Sequence, residues 1–279
     1  MPRSTRRRTL VLVLAAAVLA LVAWRGVVRP SNDRVWSSDQ AVLPYATLDG
    51  HVARVHNIRD TRYRTTSDFD PRYYDRVFDL DSIETAWFVV EPFSGVKGPA
   101  HTFLSFGFAN GSYVAISAEI RKERGESFSP LAGMLRRYEL MYVVADERDV
   151  IGLRANYRHD DVYLYPVRAT RAQVRAMFVD MLERANRLGE RPEFYNTLTN
   201  TCTTNIVRHV NAIAPKKVPF SYKVLLPGYS DRLANDLGLL ETSVPFEETR
   251  RRAKINDRAR IYADSANFSA GIRTGADSR

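Results

Sequence analysis

Beyond the first thirty residues, apolar side chains recur at every second position in a series of short runs, and after Thr170 the spacing changes to three and four. Alternation of the first kind marks strands with one covered face, and the later spacing marks helices. The run HVARVHNIRDTRYRT predicts a strand around Val52 to Arg64, and AWFVVEPF, ended by proline and followed by the loop SGVKGPA, predicts a buried one. HTFLSFGF and SYVAISAEI, joined by Ala109-Asn110-Gly111, read as a β-hairpin, because Asn-Gly between alternating runs is a turn signal. YELMYVVAD and DVYLYPV bracket ERDVIGLRANYRHD as two further strands, so a sheet of roughly five or six strands, mainly antiparallel, is expected.

From Thr170, the positions Val174, Met177, Phe178, Met181, Leu182 and Ala185 form one face of a helix that runs to about Leu188 and packs on the sheet. A second helix carries Ile206, Val207, Val210 and Ile213 on its apolar face, with Asn200 and Thr201 supplying capping chemistry before it, which puts Cys202 at its N-terminus. Beyond Pro215 come a loop, a short amphipathic piece from Ser230 to Leu240 and an arginine-rich tail that is helical in part. The expected class is α+β, with neither repeats nor a second globular domain.

The first thirty residues follow a different pattern. Arg3 and Arg6 to Arg8 precede an apolar run from Leu10 to Trp24. A helix from Thr9 to Val28 is about 30 Å long, which spans the hydrocarbon with Arg25 turned to the interface. The end of the run lacks a small-x-small cleavage pattern, and the arginines before it outnumber those after it. The expectation is therefore residues 1–8 in the cytoplasm, a retained transmembrane signal anchor at 9–28, and residues 29–279 as one extracytoplasmic domain.

Charge then changes little. Of the net +9, +6 lies in the first thirty residues, and the remainder carries 35 basic against 32 acidic side chains. No run of basic and aromatic residues suits stacked bases, so nucleic acid is not an expected partner. One cysteine permits no intramolecular disulfide, and scattered histidines offer no paired-ligand spacing for zinc; no metal or cofactor is expected.

The lone thiol is the chemical feature to explain. At a helix N-terminus, peptide dipoles and free amides favour thiolate. His209, seven residues on, is about 10 Å away along the same helix and out of reach of Cys202. His51, His56 and His159 sit among polar neighbours. His101 opens a strand after a Gly-Pro loop, where its imidazole is placed to meet a helix N-terminus packed on the sheet, so it is the candidate base. Ser117 and Glu119 on the partner strand are candidates to orient it. A two-residue turn pairs His101 with Ile120 and turns Glu119 to the other face, whereas a three-residue loop or a bulge puts Glu119 opposite His101; both remain open here. A buried, inert cysteine is the alternative.

The strings HTFLSFGF, ISAEIRKERGESFSP, YELMYVVADERDVIGLR, VYLYP and EFYNTLTNTCTTNI together resemble the bacterial family described as the Lnb N-terminal periplasmic domain, from roughly Asn57 to Phe268. The resemblance implies a circularly permuted papain-like (NlpC-type) Cys-His fold, with His101 preceding Cys202. It also implies two-step acyl transfer from phospholipid, through a Cys202 thioester, to a lipoprotein N-terminal amine. Under that reading membrane lipid and lipoprotein are the partners, and Arg121 and Asn200 are candidate substrate-binding residues. A Cys-His hydrolase (peptidase, amidase or thioesterase) and a non-enzymatic envelope module are the competing readings.

Overall fold

The computed structural model describes residues 26–274 together with residues 9, 11–13, 15 and 16. Its contacts divide the chain into two units, residues 1–34 and 35–279. In the first, residues 9, 11–13, 15, 16, 26 and 27 have helical backbone. The segment 9–28 expected to cross a membrane lies largely outside the described residues.

Among the described residues the second unit is built on ten strands: β1 (Tyr45–Asp49), β2 (Val52–Arg59), β3 (Arg62–Tyr63), β4 (Phe69–Asp70), β5 (Tyr73–Asp79), β6 (Ile83–Pro92), β7 (Ala100–Phe108), β8 (Tyr113–Arg121), β9 (Glu139–Ala145) and β10 (Tyr163–Pro166). Eight of them form one sheet in the order β1-β2-β9-β8-β7-β6-β10, with β5 also paired to β2; β3 and β4 pair separately. The helices used below are α1 (Glu147–Gly152), α2 (Arg171–Glu190) and α3 (Cys202–Ile213).

Two expectations need correction. The class is α+β with a mixed sheet, because β2 joins β9 in parallel at Arg59↔Ala145 while the other ladders are antiparallel. And in place of a papain-like domain preceded by a transmembrane helix, no helix among the described residues is long and apolar enough to cross a membrane. The sheet also exceeds five or six strands because β1 and β5 join it through β2; each buries a single residue, Ala46 and Phe78, so neither stands out as an apolar run.

Alternation along the central strands splits the core in two. Leu104, Phe106, Ile116 and Tyr142 face α2 and α3, meeting Val174, Phe178, Met181 and Ile206. The intervening residues Phe103, Ala115, Met141 and Val143 face the other way, onto Val150, Ile151, Ile255, Ala259 and Phe268. Burying apolar area on both faces at about 25 cal/mol per Å2 makes the central strands the most firmly held part of the domain. α2 begins where Thr170 caps it, its hydroxyl accepting from the Gln173 amide while the Gln173 side chain accepts from the Thr170 amide. Its buried stripe packs against β1, β6 and β9, and α3 lies on β7 and β8 beside it.

Candidate active site

α3 starts at Cys202 because Thr201 stops the preceding extended chain: its hydroxyl accepts from the Thr204 amide, and the Thr204 hydroxyl accepts from the Thr201 amide. That capping box leaves the amides of Cys202 and Thr203 in the first turn, where a helix supplies no internal acceptor. Cys202 is 6% exposed. Thr203 fixes the helix to the sheet through a 2.9 Å hydroxyl–hydroxyl contact with Thr102 and lies 3.7 Å from the Cys202 sulfur. The ladder between β7 and β8 runs from Gly107↔Tyr113 to Leu104↔Ile116. Past its end, the Thr102 amide and the His101 imidazole lie close enough to the sulfur to favour its thiolate form.

The hairpin register decides what stands behind that imidazole. Phe108 donates to the Ser112 carbonyl across a three-residue loop, and Gly111 closes it at φ +77°, a conformation glycine adopts without strain. The resulting register, continued past Leu104↔Ile116, sets Glu119 opposite His101 and on its face of the sheet. His101 Nε2 is 2.7 Å from Ser117 Oγ and 3.4 Å from Glu119 Oε1, and Ser117 Oγ donates to Glu119 Oε1 at 3.0 Å. With its one proton given to Glu119, the Ser117 hydroxyl accepts from Nε2–H, so Nδ1 is the nitrogen left for the sulfur.

A second tier holds Glu119. Arg154 donates to Glu119 Oε1 at 3.0 Å, to Glu91 Oε2 at 2.5 Å and to the Val150 carbonyl at 2.8 Å. It sits in a π-helical stretch, Leu153–Tyr157, that follows α1; such wide turns swing a side chain off the regular helical face. Glu91 is fully buried on β6, paired directly with His101 on β7. Phe103 stacks on the His101 ring and carries the Arg154 guanidinium 5.2 Å from its centroid, fixing the imidazole plane from one side.

The electrostatics follow from this packing. Burial opposes a charge on His101, but the neighbouring Cys202 thiolate outweighs it, with Glu119 assisting, and the imidazole is raised to about 9. Burial likewise opposes the thiolate, and His101 with the Thr102 and Thr203 donors outweighs it, lowering Cys202 to about 7. Against its own burial, His101 and Arg154 hold Glu119 well below the usual carboxylate range, while burial raises Glu91. The favoured state near neutral pH is a thiolate–imidazolium pair backed by an ionised carboxylate.

The structure thus brings Cys202, His101 and Glu119 together. It places Arg121 and Asn200 elsewhere. Arg121 is 3% exposed, donates to the Gln40 and Ala41 carbonyls and lies over the Trp36 ring. Asn200 clips the loop before α3, donating to the Phe194 carbonyl and accepting from Asn205. His209 is buried between Tyr142 and Asp180, and His56 stacks on Tyr45 beside Asp75. Sequence reasoning missed Arg154 and Glu91. Glu91 did carry a signal, as a lone acid inside the apolar run AWFVVEPF.

No curated protein and no solved structure matches the chain. A family model does, over residues 69–228, a span that holds both His101 and Cys202 and more than half of the sequence. The chain belongs to the family described as the Lnb N-terminal periplasmic domain, an envelope-associated domain.

Proposed function

We propose that this domain is a thiol-dependent acyltransferase. Its acyl donor is a membrane phospholipid, and its acceptor is the N-terminal amine of a lipoprotein or a related amine. The observation that carries the reading is the contact between a helix-capped thiol and an imidazole whose far nitrogen is engaged by Ser117 and Glu119.

In the first step the Cys202 thiolate attacks the ester carbonyl. A C–S bond forms, the ester C–O bond breaks, and the departing alcohol takes the proton of the His101 imidazolium. In the second, the neutral imidazole removes a proton as the amine attacks the thioester. A C–N bond forms, the C–S bond breaks and the thiolate returns. In each step the carbonyl oxygen gains charge beside the first-turn amides of α3, where the helix dipole stabilises it. Glu119 and Ser117 keep the imidazole in the tautomer that faces the sulfur.

The test is mass spectrometry of the full chain after incubation with phospholipid vesicles, with and without an amine acceptor such as a diacylated lipopeptide. The reading expects a Cys202 thioester that the acceptor discharges as an acylated peptide. Free fatty acid as the sole product would replace transferase with hydrolase, and absence of any adduct on a thiol that also fails to alkylate would remove the enzyme reading altogether.

A further inference from the structure

Beside the nucleophile lies a cavity of about 740 Å3, counting the solvent at its mouth, between β6, β7, α2, α3 and the segment 218–240. Its lining, Phe88 included, is apolar apart from Gln173, Thr203 and Ser230. From α3 it takes Thr203, Ile206, Val207, Val210 and Ile213, spaced three and four apart, a stripe about 15 Å long that starts one residue after Cys202. An apolar hollow that opens beside a thiol has the form usual for a small-molecule site.

We propose that this cavity is the alkyl subsite: it receives the hydrocarbon chain of the acyl group while the carbonyl is held at Cys202. The assignment rests on the acyl-transfer reading for its purpose, but its argument is geometric. An acyl group on the sulfur has its oxygen turned to the α3 amides, and its chain must leave on another side. Thr203, which touches the sulfur and lines the cavity, stands where the two join. The lining offers few polar groups to a peptide and none charged, which favours a hydrocarbon occupant over a peptide side chain. Ala234, a small residue of the lining outside α3, sets how much chain is admitted.

The probe is dodecanoic acid carrying a terminal diazirine, photolysed with the full chain and mapped by peptide mass spectrometry. Expected are adducts on peptides containing Ile206 to Ile213 and Leu233 to Leu240, competed by dodecanoate. Ala234→Phe should cut labelling about tenfold, as roughly two methylenes lose their burial. Val210→Trp fills the same space from the helix side, and agreement between the two variants, each with its melting temperature recorded, separates filling from misfolding. Adducts scattered over the surface, labelling indifferent to both variants, or competition by apolar peptides and not by dodecanoate would overturn the assignment. Mapping needs no reaction at Cys202, so localised labelling with an inert thiol would leave the subsite standing and sink the acyl-transfer reading.

Discussion

Two histidines in this domain are held in nearly the same way and end in opposite states. His101 has Ser117 and Glu119 at one nitrogen and the Cys202 sulfur facing the other. His209 has Tyr142 Oη at 2.6 Å on one nitrogen and Asp180 at 2.6 Å on the other. Both are largely shielded from water and each has an acid beside it, yet His101 is raised to about 9 and His209 is lowered below its ordinary value. Burial weighs against both charges. At His209 the Asp180 carboxylate cannot offset it, with Arg184 and Arg208 pushing the same way; at His101 Arg154 also pushes that way, and the thiolate tips the balance. A carboxylate partner therefore orients an imidazole, and only the second negative group charges it.

Breaking the His101 side should give the largest effect. His101→Ala is expected to slow acylation of Cys202 about 100- to 10,000-fold at neutral pH, the range typical of a lost general acid–base. His209→Ala should leave the reaction essentially intact. The same comparison sets the pH profile, since thiolate appears as pH rises through about 7 and imidazolium is lost as it rises through about 9. Thiol-probe labelling should climb through the first of these values in the wild type. In His101→Ala it should climb only at more alkaline pH, because burial then acts on the thiol without its counter-charge. A labelling curve that His101→Ala leaves in place would break the pairing.

Arg154 comes next, through stability. Arg154→Met leaves Glu91 and Glu119 buried without their common cation, an expected loss of about 3–5 kcal/mol in chemical denaturation. The loss should shrink on acidification, as protonation removes the uncompensated charges. Glu119→Gln is milder: it keeps the shape, lowers the His101 pKa, and should cost about tenfold or more in acylation rate while drawing the alkaline limb of the profile below 9.

These predictions bear unequally on what the sequence discloses. Cys202 at a helix start was legible because Thr201 caps at a recognisable place, and the hairpin because Asn110-Gly111 is a strong local signal. Its register was not, since the same residues serve a two-residue turn and a three-residue loop, and the choice between them carries Glu119 to or from the site. Arg154 left no mark, because a π-helical turn has no period of its own and the residue meets Glu91 63 positions away. Arg121 invited a substrate-binding reading because nothing local reveals that Gln40 and Trp36, 81 and 85 residues earlier, fold over it. Local chemistry is readable from neighbours in sequence, whereas buried ion pairs depend on topology.

The smallest effect sharpens the comparison from the other side. Because the folded-state pKa of His209 lies below its unfolded value, the unfolded chain binds the proton more readily. The stability this group contributes is present above about pH 6.5 and is lost as pH falls through its folded pKa. Between pH 7 and 5 the wild type should therefore lose at most about 1.4 kcal/mol per pH unit from this group, read from urea denaturation midpoints. His209→Gln should flatten that slope, at some cost in stability at every pH from the altered bonds to Tyr142 and Asp180. His101 has the opposite sign: its contribution is full below about pH 6.5 and is lost as pH rises through about 9, so it adds nothing to the acid slope. An acid slope that survives His209→Gln and disappears in His101→Ala would reverse the roles assigned to the two imidazoles.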